Sequence, residues 1–531
     1  MWIKLLTKIF LDFFIAVARW MDGSLFFRGL TAVFNFFKYI CTDSFITRAF
    51  IADTAPLDNS IRRSFVGRAL DKFLNGLPKP ITPPEHWHKT MSNAFSGSWL
   101  IGTLCKTIDS PIPKPGNPDG IYVVFQWALF AAPVLGLVAV MFAVPFLPTM
   151  VLAGILVPVL LLALLSRNFA IDSFAVFLVI FIFVSVLAAV FSVALRSSIE
   201  VVLLTSVFMV SSITIVACFT TSKSVELLIK IFVISAALTG VYGIYQVLFG
   251  YQGNVWLDPT LFAGTRLRVF STFDNPNVYG TYLLLAIPLA AACIVYLKGV
   301  FPKLCAVGIT GLLVVNLFLT LSRGCYLSLA LAVAVFVLII EKRLLLPLIP
   351  MAAALPFVLP ATIINRFMSI FNMDDTSTAF RLNIWRGSLR ILQDFWVGGI
   401  GQGIEAYDRV YPFYALSAIH SPHSHSLYFQ YFIEVGVFGF AVFIIVLACY
   451  FRIMSNFIRR TTNFKNRIMA AAMVAAVIGF LFQGITDFVF YNFRVALTFY
   501  LFIGISLAFT KVNAEIPKPD EQPPLIKNYY D

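Results

Sequence analysis

Charge is scarce in this sequence. Of its 531 residues only 12% are Asp, Glu, Lys or Arg, against 60% hydrophobic, and the mean hydropathy is +0.88. A chain with so little charge cannot cover its apolar side chains with a polar surface, so a water-soluble fold is excluded and lipid must serve as solvent. Cysteine is sparse too: Cys41, Cys105, Cys218, Cys293, Cys305, Cys325 and Cys449 are scattered, with no CxxC and no Cys/His ligand spacing. That excludes a disulfide framework or a zinc site, and the cysteines read as small hydrophobes. Paired carboxylates at glycosidase-like spacing are missing, which argues against hydrolysis. The first residues lack the uninterrupted apolar run of a secretory signal, because Lys8, Asp12 and Arg19 break LTKIFLDFFIAVARW; no cleavage is expected.

What is there is a long series of apolar runs. From Ile121 onward, stretches near 122–143, 147–165, 172–195, 200–219, 227–249, 277–297, 303–321, 325–340, 344–362, 427–450, 469–488 and 494–510 each approach the length that crosses a bilayer as a helix. The expectation is an all-α integral membrane protein, a polytopic bundle of about twelve transmembrane helices. Residues 121–510 form this domain, with a large outer-face loop region at about 363–426 between the ninth and tenth spans. Residues 1–120 differ in texture: basic and aromatic, with Arg62, Arg63, Arg68, Lys72 and Lys79. They suit either helices lying on the anionic cytoplasmic leaflet or a poorly ordered cytoplasmic extension. Residues 511–531 form a cytoplasmic tail.

The net charge of +13 fits this topology, because membrane proteins collect Lys and Arg in cytoplasmic loops. Membrane lipids, not nucleic acid, are the expected partners, and the location is the cytoplasmic (inner) membrane as a multi-pass protein. With the N-terminus inside, every Lys after position 121 falls on or near the cytoplasmic side. The basic residues left outside are all Arg: Arg196, Arg266, Arg268, Arg323, Arg366, Arg381, Arg386, Arg390, Arg409 and Arg494. Arg, with its planar fork, grips phosphate bidentately. Arg196, Arg366 and Arg409 suit headgroup contacts or acidic neighbours, whereas Arg266 or Arg268, Arg323 and Arg386 suit anion binding. Arg323, in LTLSRGCYL, stands between two spans with almost no loop, where a charge is costly without a purpose.

In RLRVFSTFDNPNVYG, Asn275 and Asn277 flank Pro276 at a helix start. Three of the five histidines lie in AIHSPHSHSLYFQYFIEVGVFGF: His420, His423 and His425. Their HxxHxH spacing resembles a ligand set, but no Asp or Glu lies within it and the arginine-rich surroundings repel a cation. A general base is the better use, His420 being an ordinary interfacial side chain. No metal or other cofactor is expected. Glu434 and Asp487 stand in apolar runs, where a carboxylate needs a partner or a role.

Taken in order, VFSTFDNPNVYG, LSRGCYL, RLNIWRGSLRIL followed by GGIGQG, and HSHSLYFQYFIEVGVFG resemble the landmarks of the O-antigen ligase and O-antigen polymerase superfamily, over about residues 200–510. The resemblance implies a metal-independent, inverting transfer of a polyprenyl-diphosphate-linked glycan to an acceptor glycan, lipid or protein on the outer membrane face. It implies His425 as base with His423 beside it, and Gln430, Glu434 and Gly436 in register. Ser426 stands where the family has Asn. It also implies diphosphate binding by Arg323, Arg266 or Arg268, and Arg381 or Arg386; Asn277 at its helix start, and Glu434 and Asp487 by the cost of their charge, are read from the residues themselves as supporting. The rival is a membrane transporter of a small anion or metabolite, whose arginines would line a path; the spans show no inverted repeat.

Overall fold

The computed structural model describes residues 120–166, 169, 172–250, 268–344, 376–416 and 420–514. The chain divides into two units. One comprises residues 1–72 and 341–354 and is described only over 341–344, which contain a 3-10 turn, Lys342–Leu344. The other unit holds the remaining residues and carries everything below.

Its described residues are helical, without a strand. In chain order the helices are α1 (Gly120–Ala143), α2 (Thr149–Ser166), α3 (Ser173–Val190), α4 (Leu195–Cys218), α5 (Ser222–Phe249), α6 (Pro276–Tyr296) and α7 (Val300–Leu319). There follow α8 (Arg323–Ile340), α9 (Thr376–Phe395), α10 (Ile404–Val410), α11 (Leu427–Arg460), α12 (Phe464–Thr486) and α13 (Phe493–Val512). Among the described residues nine helices are long and apolar enough to cross a membrane, and α1 and α2 contribute shorter apolar stretches. The protein is thus a multi-pass membrane protein. The expected span near 344–362, the N-terminal region before Gly120 and the tail beyond residue 514 lie outside the described residues.

Burial follows composition. α12 carries Ala470, Ala471, Ala472, Ala475 and Ala476, all buried, so α6 and α8 approach its backbone closely. Small residues at a helix seam are what lipid-embedded packing favours, because dispersion contacts replace the missing hydrophobic drive. α13 is almost wholly buried and packs on α4, while α3 packs on α11.

Caps place the helix starts. Asn275 Oδ1 accepts from the Asn277 amide at 2.8 Å, with Pro276 in the first turn of α6, and Asn492 caps α13 in the same manner. α6, α8, α11 and α13 all begin at one end of the bundle, where α7 and α12 end. Lys223, Lys298, Lys303, Lys465 and Lys511 sit at the other end, close to the far helix termini.

The stretch expected as an outer loop contains ordered helix. α9 is amphipathic: Ile384, Ser388, Ile391 and Leu392 recur at helical spacing and are buried. The three apolar ones join Tyr407, Tyr411 and Ile433 in a second, smaller core at the end where α11 begins, and Ser388 Oγ shares a hydrogen bond with the Tyr407 hydroxyl.

α11 is discontinuous. Gly436 has φ 66° and ψ −176°, a conformation open essentially to glycine alone. The segment Trp396-Val397-Gly398-Gly399-Ile400-Gly401 closes on the break. The Ile400 amide donates to the Ile433 carbonyl at 2.9 Å, the Gly401 amide to the Glu434 carbonyl at 3.1 Å, and the Val437 amide to the Trp396 carbonyl at 2.8 Å. Backbone groups that a broken helix would leave bare in lipid are thereby satisfied by protein.

Candidate active site

The end of the bundle where α6, α8, α11 and α13 begin holds a connected polar cluster. It starts at the loop before α11. His425 has φ 50°, a left-handed conformation that non-glycine residues adopt at a cost. Its ring lies 4.3 Å from that of His423, and its amide donates to His423 Nδ1 at 3.2 Å. His425 Nδ1 stands 3.6 Å from Asp487 Oδ1, at the end of α12. Asp487 is only 4% exposed. Burial alone would raise its carboxyl, but the neighbouring His425 imidazole and the Arg381 guanidinium outweigh that and hold it below the usual carboxylate range. The site therefore contains a carboxylate anion directed at one nitrogen of an imidazole whose side chain is 23% exposed.

His423 is different in kind. It is buried between Phe488 and Tyr491, whose ring stacks on it at 4.9 Å. Loss of hydration, with the neighbouring His425, pushes its imidazole down from 6.5 to about 4, so it stays neutral at physiological pH. Tyr491 in turn accepts from Asn275 Nδ2 at 3.0 Å, which ties the histidine loop to the start of α6.

The arginine side follows from there. Arg268 Nε donates to the Thr320 carbonyl at 2.9 Å, and its terminal nitrogen donates to Asn277 Oδ1 at 3.1 Å. Sequence reading set Asn275 and Asn277 together at this helix start. Asn275 is the cap, and the Asn277 side chain instead orients Arg268. Arg323 opens α8, and the next residue, Gly324, faces the Gln483 side chain one turn before Asp487. Arg381 on α9 is half-buried and acts electrostatically on both His423 and Asp487. Phe380 lies 5.8 Å from the His425 ring, and Trp385 Nε1 donates to the His425 carbonyl at 3.4 Å, so α9 covers this histidine.

Other expected residues are not brought in. Arg386 is exposed on another face of α9, because Ile384, Ser388 and Ile391 define the inward face and position 386 falls between them. Arg266 and Arg366 lie outside the described residues. Arg196 pairs with Glu200 and Arg409 with Glu405, as their surface positions suggested, and His420 Nε2 meets Asp408 at 3.2 Å in an exposed pair. Arg494 contacts Asp274 at 2.7 Å.

Glu434 belongs to a supporting chain of bonds. The Ser424 amide donates to Gln430 Oε1 at 2.8 Å, Gln430 Nε2 donates to Glu434 Oε1 at 2.9 Å, and that oxygen accepts the Gly403 amide at 3.1 Å. One face of α11 thus staples the histidine loop to the segment that closes the helix break. Tyr491, its bond to Asn275 and the Asp487 to His425 pairing were not found from sequence, because each depends on partners far away in the chain. Among the described residues no group of three or more His, Cys, Asp and Glu side chains converges as a metal site would.

Fold and site together define a multi-pass helical membrane protein with a His–Asp pair and flanking arginines at one end of its bundle. Residues 308–444, from within α7 through α8, α9 and α10 into α11, match the family model described as O-Antigen ligase, and this supports placing the chain in the O-antigen ligase and polymerase superfamily. The matched stretch includes Arg323, Arg381, His423, His425, Glu434 and Gly436; Arg268, Asn277 and Asp487 lie outside it. A comparison with curated proteins returns no match.

Proposed function

We propose that this chain is a glycan ligase or polymerase that transfers a polyprenyl-diphosphate-linked glycan to an acceptor hydroxyl on the outer face of the cytoplasmic membrane, without a metal and with inversion. The observation that carries the reading is the His425 to Asp487 pair, 3.6 Å apart, with Arg381 acting on Asp487. The outer-face assignment rests on the lysine-bearing helix ends lying opposite the site.

Diphosphate is already a good leaving group, so the protein's task is to neutralise it and to aim the acceptor oxygen. Arg268, Arg323 and Arg381 take the diphosphate, aided by the N-termini of α6 and α8, where helix dipoles favour an anion. His425 accepts the acceptor proton as the oxygen bonds to the anomeric carbon, and the bond from that carbon to the phosphate oxygen breaks. The lipid diphosphate leaves with the electron pair. Asp487 orients His425 through Nδ1 and stabilises the imidazolium formed. His423, held neutral, serves as a positioning residue by accepting the His425 amide.

The test is made in cells carrying His425→Ala or Arg268→Ala. Both should accumulate the lipid-linked precursor and lose the finished glycan. Intact glycan assembly combined with loss of uptake of a solute would instead favour a transporter.

A further inference from the structure

A second feature shares Tyr491 and Phe488 with the surroundings of His423. There a cavity of about 480 Å³ opens among α4, α10, α11 and α13, within the size range of small-ligand sites, roughly 300–1,000 Å³. Its chemistry is opposite to that of the arginine side. Glu200, Glu405, Asp408 and Glu434 face it, and among the described residues lining it there is no Lys, Arg or His. The groups that pair with three of these carboxylates, Arg196 with Glu200, Arg409 with Glu405 and His420 with Asp408, are not part of its wall. Phe490 and Phe493 add aromatic surface beside Tyr491. Within this wall Gln402 is 2% exposed; its Nε2 donates to Ser185 at 3.2 Å, but its Oε1 has no hydrogen-bond partner.

Carboxylates and an amide oxygen accept hydrogen bonds, aromatic rings offer flat apolar faces, and the absence of cations rejects phosphate. The ligand class that fits is a polyol with apolar C–H faces and no negative charge. We infer that this cavity is the acceptor subsite and that it takes an uncharged or amine-bearing saccharide, held apart from the donor diphosphate by opposite charge. Tyr491 belongs to both sites: its ring stacks on His423, and the residue lines the cavity. The inference rests on the transferase reading for the word acceptor; the saccharide preference rests on the cavity alone.

The full chain in lipid nanodiscs is titrated with maltotriose, chitotriose, the fully deacetylated chitosan trimer, sialyllactose as the acidic control, and inorganic pyrophosphate for the arginine side. At least one of the three trisaccharides without negative charge should bind, and sialyllactose should not. Ser197→Trp, which fills the cavity from α4, should abolish saccharide binding, and Glu405→Gln should weaken it about five- to ten-fold, a charged hydrogen bond being replaced by a neutral one. Pyrophosphate binding should be unchanged in both. If Ser197→Trp also loses pyrophosphate, it is misfolded, and Glu405→Gln, an exposed and mild change, decides alone. Binding of none of the three trisaccharides, equal binding of sialyllactose, or saccharide binding unmoved by the deciding variants would overturn the inference. Saccharide binding without pyrophosphate binding by the wild-type chain would instead sink the diphosphate-transferase reading and leave the saccharide cavity standing.

Discussion

Asp487→Asn tests the proposed mechanism most directly, because it removes one charge and almost no volume. Asp487 is buried, and its Oδ1 lies 3.6 Å from His425 Nδ1. At an effective dielectric constant of about 20, two unit charges at that separation attract by roughly 4–5 kcal/mol. His425 carries its charge only once it has taken the acceptor proton, so this attraction belongs to the transition state and not to the bound substrate. Asparagine keeps an oxygen that accepts from Nδ1 once the 3.6 Å gap closes in the reacting complex, retaining about 1–1.5 kcal/mol. The net loss is then about 3 kcal/mol, or roughly a hundred-fold in kcat. Donor affinity should change little, because the arginines that meet the diphosphate are untouched. The assay is transfer in membrane vesicles loaded with lipid-linked donor, with turnover and donor KM measured separately. A fall in kcat of less than about five-fold, just under 1 kcal/mol, would show that the carboxylate is not coupled to the base. A parallel rise in donor KM and fall in kcat would show that Asp487 shapes the site and does not act through His425.

Other outcomes follow from the same geometry. His423, with its imidazole pushed down to about 4 by burial, lets only the unfolded chain bind a proton between about pH 6.5 and 4. Stability is therefore complete above that window and falls by up to about 3 kcal/mol as pH drops through it; His423→Phe should flatten this part of the thermal-unfolding profile in nanodiscs, and an unchanged slope refutes the assignment. Gly436→Ala forces a side chain into a glycine-only conformation against the Val397 carbonyl, so melting should show a loss of at least about 2–3 kcal/mol. A variant as stable as wild type would mean that α11 is not broken there. Arg268→Lys keeps the charge but not the fork that bonds Thr320 and Asn277 together, and donor KM should rise about ten-fold; full rescue by lysine would show that only charge matters at this position.

The membrane class and most helices were legible because long apolar runs are a one-dimensional signal, and the segregation of Lys from Arg marked the two ends. Individual site residues were legible only as costs. Asp487 stood out as a carboxylate in an apolar run, yet nothing in the sequence could name a partner 62 positions earlier, since pairing at that distance is decided by how α11 and α12 pack. The choice between Arg381 and Arg386 could have been made from sequence. Counting back from Ile384 and Ser388 by three and seven places Arg381 on the inward face of α9 and leaves Arg386 outside it.

The break in α11 was hidden for a physical reason. FIEVGVFGF is as apolar on one side of Gly436 as on the other, and glycine is common in membrane helices, so a lone Gly signals neither continuity nor rupture. What decides it is the second strand of backbone, Trp396 to Gly401, which supplies the hydrogen bonds a broken helix lacks. That exchange also explains why Glu434 is tolerated in a span. The carboxylate sits one half-turn from the break, where Gly403 and Gln430 both donate to it, and through Gln430 it fixes Ser424 beside the two histidines. The helix break and the histidine loop are therefore one construction: straightening α11 would take the Gly403 amide from Glu434, slacken Gln430 and release the loop that aims His425 at Asp487.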